Sequence, residues 1–440
     1  MEQIIIYGSA LLLSLVVIII YLARKWKKSR IVDEKIARAK EEGVYEPVSL
    51  HPVVNPGKCI QTGACIAACP EKDILGIRNG KATTINASQC IGHGACFHAC
   101  PTEAIELYIG TETRGVELPH VSPEFETDVP GIYISGELGG MGLIRNAVEQ
   151  GKQAVENIAA LIDKKHHADY DLLIVGAGPA GISASLAARK HKLKAITLEQ
   201  NSLGGTVFTF PRSKVVMTSA MDLPLHGKLK LYETSKGELL DLWQNLIRQY
   251  DIPIQENEKV EGLVKKNGHF LISTAKGDTY TAKHVLLAIG RRGSPRKLDI
   301  PGENLEKVAY RLLEPEMIEN KEVMVVGGGD SAVESALLLM DKNQVTISYR
   351  SAAFTRLKPK NKDKIANAQA SSNLKVIFNS QPVRIEPNQI ELKIKDQTES
   401  IMVKNDLIYI FAGGELPTAF LKKIGIKITR KHGEAILKHK

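Results

Sequence analysis

Six cysteines lie close together in the sequence and are the side chains best suited to redox or metal chemistry. All fall between Cys59 and Cys100, and the rest of the 440-residue chain has none. They form two runs of the same spacing, Cys59 to Pro70 and Cys90 to Pro101, and each run ends in Cys-Pro. A repeated local cluster is typical of metal ligation, whereas a disulfide framework would be spread over a secreted fold.

The two runs resemble those of the bacterial two-cluster ferredoxins, in which the spacing is C-x2-C-x2-C-x3-C-P. Here Thr62 and His93 stand where the second cysteine of each run would be. In that family three ligands of a run hold one cluster and the fourth cysteine holds the other. The resemblance implies two ligand sets, Cys59, Cys65 and Cys100 for cluster one, and Cys90, Cys96 and Cys69 with His93 for cluster two.

The two departures leave the cluster types open, as three-iron, four-iron or one of each. Because Thr62 is a poor iron ligand, we expect a three-iron or a labile four-iron cluster at site one. His93 completes a four-iron cluster if its imidazole ligates, and is otherwise a loop histidine that replaced a lost ligand. For the whole segment the alternatives are a zinc site or loss of both clusters. The duplicated spacing opposes zinc, and the six retained cysteines oppose loss.

A first glycine-rich turn follows a predicted strand over Tyr170 to Val175 and opens a helix to about Lys190. Its glycines permit a tight turn and close backbone approach to a pyrophosphate at the helix N-terminus. The next strand ends in Glu199, where a carboxylate binds a ribose hydroxyl. The predicted ligand-binding residues are Gly176, Gly178, Pro179, Ala180, Gly181 and Glu199.

A second turn of this kind follows a predicted strand over Glu322 to Val326. The strand after it ends in Arg350 instead of an acid, which favours a 2′-phosphate and hence NADPH over NADH. The alternative is that these basic residues form a solvated loop. The predicted ligand-binding residues are Gly327, Gly329, Asp330, Ser331, Ala332, Arg350 and Arg356.

Two such units in one chain resemble the pyridine-nucleotide flavoproteins, with FAD at the first turn and NAD(P)H at the second. The run Gly-Gly-Gly-Asp-Ser-Ala resembles the thioredoxin-reductase branch, and Gly204-Gly205-Thr206 stands where that branch has a flavin-side glycine pair. The resemblance implies that Gly205 and Thr206 contact the flavin. That branch also has a redox C-x-x-C before the second turn, but residues 308–321 contain no cysteine. Direct dithiol chemistry is therefore not expected.

The closing motif of that branch, T-x-x-P-G-[VI]-[FY]-x-x-G-D, is expected after a segment like Asp406 to Pro417. A match is found instead at Thr127 to Glu137, followed by Arg145-Asn146-Ala147 and a predicted helix to Ile162. The flavin domain therefore resembles a circularly permuted form of the family's domain. Such a permutation requires little structural change, because chain termini are often adjacent in space. The resemblance implies that Gly136, Glu137, Asn146 and Ala147 lie at the flavin, with Glu137 one methylene longer than the family's Asp.

An uncharged apolar run of 20 residues extends from Ile4 to Ala23 and is followed by basic residues beginning with Arg24. As a helix it spans about 30 Å, the thickness of the hydrocarbon core. The positive-inside rule places the rest of the chain in the cytoplasm, so we expect a single-pass anchor in the inner (cytoplasmic) membrane. The alternative is a cleaved signal peptide, but neither a basic n-region nor a small-residue cleavage site is evident.

These elements predict an α/β fold with two Rossmann-like dinucleotide-binding domains, a small α+β ferredoxin-like domain and one transmembrane helix. The predicted boundaries are 4–23 for the membrane helix, 24–50 for a juxtamembrane linker, 51–110 for the ferredoxin-like domain, 115–165 for the closing segment of the FAD domain, 169–300 for the FAD-binding domain, 301–404 for the NAD(P)H-binding domain and 405–440 for a return to the FAD domain.

The predicted function is NAD(P)H-dependent electron transfer through FAD and two iron–sulfur clusters, near the cytoplasmic face of the membrane. The net charge is +9, but no basic stripe with interleaved aromatics indicates nucleic acid. Expected partners are membrane lipid, an electron carrier such as a soluble ferredoxin, a quinone or a cytochrome, and a second copy in a homodimer. The alternatives are a disulfide reductase and a membrane-tethered redox sensor.

Overall fold

The fold is described by a computed structural model, which places residues 2–41, 45–47, 50–69, 71, 73–90, 92, 94–112, 115–140, 143–163, 166–210, 215–217, 221–229, 233–291, 294–355, 357–369 and 373–438. The chain divides into two compact units. Unit 1 comprises residues 1–117 and 430–440, and unit 2 comprises residues 118–429.

The first helix, α1 (Glu2–Glu41), contains the apolar run and continues beyond it. Within the described ranges it is the one helix long and apolar enough to cross a membrane. The segment predicted as a juxtamembrane linker over 24–50 is thus helical as far as Glu41. No glycine or proline interrupts it after Gly8, and pairs such as Arg30 and Glu34, whose Nε and Oε1 lie 3.1 Å apart, favour a helix.

The rest of unit 1 combines short helices with short strands. Its elements are β1 (Leu50–Val54), α2 (Ala64–Ala67), β2 (Leu75–Arg78), β3 (Lys81–Thr84), a 3-10 turn at Ala87–Gln89, α3 (Ala95–Ala99), β4 (Ile105–Ile109) and β28 (Glu434–Leu437), and β5 (Val116–Pro119) includes the last residues of this part of the chain and the first of unit 2. Strands β2 and β3 form an antiparallel hairpin, and β4 pairs with both β1 and β28.

Unit 2 contains two main sheets that carry the two glycine-rich turns. The elements up to the end of the first sheet are β6 (Ile132–Ile134), a 3-10 turn at Gly136–Gly139, α4 (Ile144–Leu161), β7 (Tyr170–Val175), α5 (Pro179–Lys190), β8 (Ala195–Leu198), β9 (Val215–Met217), β10 (Met221–Leu223), β11 (Gly227–Leu229), β12 (Glu233–Ser235), α6 (Lys236–Gln249), β13 (Ile254–Gln255), β14 (Val260–Lys266), β15 (His269–Thr274) and β16 (Thr279–Leu287). The sheet order is β13-β8-β7-β16-β15-β14, and β6 pairs with β16.

The remaining elements of the chain before β28 are β17 (Ser294–Pro295), β18 (Val308–Ala309), a 3-10 turn at Pro315–Met317, β19 (Glu322–Val326), α7 (Asp330–Leu339), β20 (Gln344–Ser348), α8 (Pro359–Ala368), β21 (Leu374–Ile377), β22 (Ser380–Ile385), β23 (Gln389–Ile394), β24 (Ser400–Lys404), β25 (Leu407–Ile410), β26 (Gly414–Glu415), α9 (Thr418–Lys423) and β27 (Ile428–Lys431). The second sheet has the order β18-β25-β19-β20-β21, and all its pairs are parallel.

The closing segment joins the first sheet through β6. This strand is parallel to β16, with Ile134 opposite Leu287, while Val175 of β7 lies opposite the same leucine on the other side. The prediction that this strand lies in the sheet of Tyr170–Val175 is therefore confirmed. Since the carboxyl ends of parallel strands meet at one sheet edge, Gly136 and Gly176 leave the sheet within one residue of the same level.

The predicted return of residues 405–440 to the FAD domain is wrong in two places. Strand β25 pairs with β19 in the second sheet, and β28 pairs with β4 in unit 1. Residues Ile408–Ile410 are buried, and a run of apolar residues suits the interior of either parallel sheet. The pattern alone could not assign the strand to one of them.

Candidate functional site

The first glycine-rich turn lies between β7 and α5 and leaves its backbone open at the helix N-terminus. Gly176 has φ +102°, and a Cβ there would lie 3.0 Å from the carbonyl carbon of Ala288. Gly181 packs directly against the carbonyl oxygen of Gly176, so neither position admits a side chain. Gly178 caps α5, Pro179 is its first residue, and no heavy atom lies within 4 Å of where a Gly178 Cβ would be. This open, positively polarised helix end is suited to a pyrophosphate.

Glu199 follows β8 and stabilises the conformation of the first glycine-rich turn. The N–H groups of Ala177 and Asn201 donate to its carboxylate at 2.7 and 2.9 Å. The side chain is buried, and burial raises the pKa of Glu199 although these hydrogen bonds oppose the shift. Its predicted contact with a ribose hydroxyl remains a prediction, whereas its support of the Ala177 backbone is a role that the sequence did not reveal.

The loop after β8 lies over the first turn. Gly204 donates its N–H to the Ala177 carbonyl at 2.9 Å. Gly205 has φ +53°, and a Cβ there would lie 3.1 Å from Gly178 Cα. Thr206 is exposed. The structure therefore brings the predicted flavin-side pair next to the predicted pyrophosphate turn.

The closing segment meets the same turn from the other side. Gly136 has φ +81°, and a Cβ there would lie 3.0 Å from Ala180 Cβ and 3.8 Å from Ala147 Cβ. Its N–H donates to the Gln150 side chain at 2.8 Å. Glu137 is exposed and Asn146 is half-buried beside them. Residues separated by about 40 positions in sequence thus form one cradle of small side chains.

Helices α4 and α5 hold this cradle together. Gly151, in the middle of α4, lies directly under the Ala180 carbonyl, so the two backbones are in contact. The Ser183 hydroxyl donates to the Val148 carbonyl at 2.6 Å. Neither residue was predicted from the sequence, although an isolated glycine inside a helical pattern signals close packing.

The second turn lies between β19 and α7 and is built in a similar way. Gly327 has φ +139°, and a Cβ there would lie 3.2 Å from both Ala332 Cβ and the Phe411 carbonyl carbon. Gly329 caps α7, is exposed, and has open space where a Cβ would be. Ala332 is buried and Ser331 is exposed. This turn therefore also leaves an open helix N-terminus.

The carboxylate of Asp330 faces the start of α8. It accepts from the Lys358 N–H at 3.0 Å and from the Asn361 amide at 2.7 Å, and that amide also donates to Glu334 at 3.0 Å. Asn361 therefore holds the side chains of Asp330 and Glu334 in position, a role that was not predicted from the sequence. Arg350 follows β20 and is exposed, whereas Arg356 lies outside the described residues.

The cysteines form the two predicted groups within unit 1. Cys59, Cys65 and Cys100 line one cavity together with Thr62 and Gly63. The Ala82 N–H donates to Cys59 Sγ at 3.4 Å, and the Ala104 N–H donates to Cys100 Sγ at 3.2 Å. Such N–H···S contacts stabilise thiolate ligands. The cavity, its thiols and their donors fit an iron–sulfur cluster.

The second group contains Cys90, Cys96 and Cys69. Burial, together with the charges of neighbouring cysteines that include Cys69, raises the pKa of Cys90 to about 11 and that of Cys96 to about 12. Iron binding here would have to displace the thiol protons. His93 lies outside the described residues. Among the residues that are placed, no three His, Cys, Asp or Glu side chains converge tightly enough to hold a single metal ion.

The duplication in the sequence is reproduced in the backbone. Gly63 and Gly94 precede α2 and α3 with φ +73° and +71°, left-handed values that favour glycine. Each short helix carries the middle cysteine of its run, Cys65 or Cys96. The two groups are therefore built by one repeated loop–helix unit.

Comparison with known proteins gives two family matches. The model for pyridine nucleotide-disulphide oxidoreductases matches residues 173–440, more than half of the chain. The model for 4Fe-4S dicluster domains matches residues 51–101.

Individual relatives cover the same part of the chain. The bacilliredoxin reductase Bdr of Bacillus subtilis is 26% identical over 267 residues, which are 59% of this chain and 82% of that protein. A ferredoxin–NADP reductase of Ignicoccus hospitalis is 27% identical over 268 residues, 59% of this chain and 83% of that protein. The structure of a bacillithiol disulfide reductase from Staphylococcus aureus has a TM-score of 0.50 at 22% identity and covers 60% of this chain and 84% of its own, a likeness of fold alone.

Proposed function

This chain belongs to the pyridine nucleotide-disulphide oxidoreductase family, and we propose that it is a membrane-anchored enzyme that moves electrons between NADPH and a partner through FAD and two iron–sulfur clusters. Within the family it is an FAD-dependent pyridine nucleotide oxidoreductase that also carries a 4Fe-4S dicluster domain. The number and type of the clusters, the preference for NADPH and the membrane location are parts of the proposal.

One observation carries the proposal: both glycine-rich turns lie in unit 2, and residues 118–429 contain no cysteine. Unit 2 therefore cannot pass electrons through a dithiol of its own. All six cysteines belong to unit 1, in two groups of three. Iron–sulfur clusters held by these groups are the redox centres that the chain offers beyond the flavin.

The side chains around the two turns have separable tasks. When bound, FAD accepts a hydride from NAD(P)H and can release single electrons, which iron–sulfur clusters carry one at a time. The open end of α5 would bind the FAD pyrophosphate, with Gly205 and Gly136 keeping side chains out of the cradle. The open end of α7 would bind the nucleotide pyrophosphate, and exposed Arg350 is free to pair with a 2′-phosphate. No acid–base residue is assigned, because hydride transfer to flavin requires none.

We further propose that the flavin domain is circularly permuted relative to the thioredoxin-reductase branch. The support is the close contact of Gly136 and of Gly151 with Ala180, which joins the closing segment to the first turn. The parallel pairing of β6 and β7 on either side of Leu287 also supports the permutation, because it places the closing segment and the first turn in one sheet.

The membrane anchor is supported by the length and apolar composition of the first part of α1. The basic residues directly after Ala23 favour a cytoplasmic location for both units. A reporter fused after Lys440 is expected to be active in the cytoplasm. Activity confined to the periplasm would refute this orientation.

The central experiment uses the full chain purified anaerobically in detergent. NADPH is expected to bleach the flavin absorbance, and reduced clusters are then expected in the EPR spectrum. Cys59→Ser and Cys96→Ser should each lower the iron content while the flavin still bleaches at the original rate. Absence of bleaching in the iron- and flavin-replete protein would refute the enzyme and favour the redox sensor.

The similarity to bacilliredoxin reductase Bdr favours a second candidate, a reductase of disulfides. The lack of cysteines in residues 118–429 opposes it, so we expect no NADPH-dependent turnover with a thioredoxin-like disulfide. Robust turnover that persists after both cluster groups are substituted would support this candidate over cluster-mediated transfer.

A further inference from the structure

Helix α1 does not end at the proposed membrane surface but continues into unit 1 and is fixed there. The Ser29 hydroxyl donates to the Asn79 side chain at 3.0 Å. Val32 is buried against Gly76 in β2, where a Cβ would lie 2.8 Å from Val32 Cγ2. The Arg78 guanidinium lies 2.5 Å from the Asp33 carboxylate. The proposed anchor and the cysteine-bearing unit therefore share one continuous helix.

This connection gives the two cysteine groups different heights above the apolar run. Lys25 lies two residues after the end of that run, and its side chain lies beside Gly80 at the tip of the β2–β3 hairpin. A Cβ on Gly80 would lie 3.4 Å from Lys25 Nζ and 3.1 Å from Gln61 Oε1. Gln61 belongs to the loop that lines the cavity of Cys59, Cys65 and Cys100. This cavity is therefore near the level of Lys25.

The second group lies near a higher level of the same helix. Lys35 forms an ion pair with Asp73, which follows Cys69 by four residues in the chain. Ten residues of helix separate Lys25 from Lys35, which corresponds to about 15 Å along the axis. The segment after Cys69 thus lies about 15 Å farther from the apolar run than Gln61 does.

The loop at the lower level has the surface chemistry of a membrane contact. Ile60 is 63% exposed, the most exposed large apolar side chain in the described part of unit 1 outside α1. Basic residues surround the same level of α1, and Trp26 beside them is also exposed. Exposed apolar and aromatic groups next to basic residues favour the interface of an anionic bilayer. These basic residues are Arg24, Lys25, Lys27, Lys28 and Arg30.

We propose that the loop Ile60–Thr62 rests on the headgroup region of an anionic lipid bilayer, with the Ile60 side chain inserted at the interface. The inference rests on the proposed anchor and deepens it. It places the Cys59, Cys65 and Cys100 group, and not the second group, on the membrane side of unit 1. A redox carrier dissolved in the bilayer would then meet the first group.

The test places the full chain in nanodiscs of phosphatidylglycerol, with or without bromine on the lipid chains near the headgroup. Trp26→Phe removes the exposed indole, and this variant is the background into which the test substitutions are introduced. Ile60→Trp in that background is expected to add fluorescence that brominated lipid quenches. Comparison of the two nanodisc types cancels any absorption by flavin or clusters. Ala37→Trp, at an exposed position of α1 twelve residues after Lys25 and thus about 18 Å farther from the apolar run, is the control within unit 1 and should be quenched much less.

A second measurement uses hydrogen exchange of the backbone amides of residues 60–63 in the same nanodiscs. Ile60→Glu is expected to speed their exchange about five-fold, because one acidic charge is repelled by an anionic surface while the aliphatic contact is lost. Val264→Glu should leave it unchanged. Equal quenching at both positions, no quenching at position 60, or unaltered exchange in Ile60→Glu would each overturn the docking.

The outcome is separable from the proposed function. Failure of the chain to enter the nanodiscs at all would refute the anchor itself. Retention in the nanodiscs without quenching of the indole at position 60 would refute the docked loop while leaving the anchor, the flavin reaction and the clusters in place.

Discussion

The packing of α4 on α5 provides a direct test of whether the closing segment belongs to the flavin site, through the substitution Gly151→Ala. The added Cβ would overlap the Ala180 carbonyl oxygen and lie 3.0 Å from its carbon and 3.2 Å from Ala180 Cα. A backbone carbonyl cannot rotate away as a side chain could. The two helices must therefore separate, or α5 must shift at the residue that follows Pro179.

Two effects of this methyl group oppose each other, and their sizes decide the outcome. Alanine in place of glycine inside a helix is favourable by about 1 kcal/mol. Overpacking of a well-packed contact costs about 1 to 3 kcal/mol. The clash is with backbone on a helix that is held by the Ser183–Val148 hydrogen bond, so we expect the cost to exceed the gain by about 1 to 2 kcal/mol. When this cost falls on the FAD complex, in which α5 must keep its position, it corresponds to a loss of roughly ten-fold in FAD affinity, since 1.4 kcal/mol is a factor of ten.

The assay measures bound FAD per chain after dilution and the temperature at which FAD fluorescence is released. Gly151→Ala should lose FAD and release it a few degrees lower, by about 2 to 4 °C per kcal/mol. Gly237→Ala is the matched control, because this glycine is also in a helix but its nearest neighbour to an added Cβ is 3.9 Å away. If Gly151→Ala retained FAD and its release temperature as Gly237→Ala does, the closing segment would not support the flavin site.

Four further predictions address other parts of the molecule. Burial lowers the pKa of His284 to about 4, below that of an unfolded histidine, so the stability of the protein should fall as the pH drops from about 6.5 to 4. The substitution His284→Phe keeps an edge contact to Tyr133 and should flatten the dependence of Tm on pH in that window. An unchanged curve of Tm against pH would contradict this prediction. Thr62→Cys should convert a three-iron EPR signal of cluster one into a four-iron one, and an identical spectrum would show that position 62 does not face the cluster. His93→Ala should produce a three-iron signal at cluster two and His93→Cys a lower potential, as expected where an anionic thiolate replaces a neutral imidazole, whereas two unaltered spectra would exclude ligation. Arg350→Glu should raise the KM for NADPH about ten-fold while leaving the KM for NADH nearly constant, because a charged hydrogen bond to the 2′-phosphate is lost. Equal changes of KM for both nucleotides would refute the proposed role of Arg350 in binding the 2′-phosphate.

The sequence predicted the parts of the site that are set by local geometry. A glycine before the first residues of α5 or α7 is needed because the chain turns there with positive φ, as at Gly176 and Gly327. The spacing of the cysteines likewise predicted the two groups, since each run builds the same loop and short helix. These turns and cysteine loops depend on a few neighbouring residues, so they can be recognised in the sequence without knowledge of the rest of the fold.

The parts that were missed depend on which surfaces meet in three dimensions. Nothing local to Leu407–Ile410 indicates whether it pairs with β16 or β19, because either sheet would bury it. The role of Asn361 follows from the distance between α8 and α7, which no nearby residue encodes. The packing of α1 on the β2–β3 hairpin likewise depends on contacts between segments about 50 residues apart, such as that of Ser29 with Asn79.

The order of the segments in the chain matters less to the flavin site than the register of the sheet. Ile134 and Val175 lie opposite Leu287 from its two sides, so β6 and β7 deliver Gly136 and Gly176 to the same edge within one residue of the same level. A parallel strand fixes the position of the residue after it through hydrogen bonds to its neighbour, and those bonds carry no information about which strand comes first. The closing segment can therefore precede the first turn, provided that β16 lies between them and that α4 can approach α5 at Gly151. The contact of Gly151 with Ala180 is thus the condition that any such rearrangement must preserve, and a larger residue at position 151 would remove it whatever the chain order.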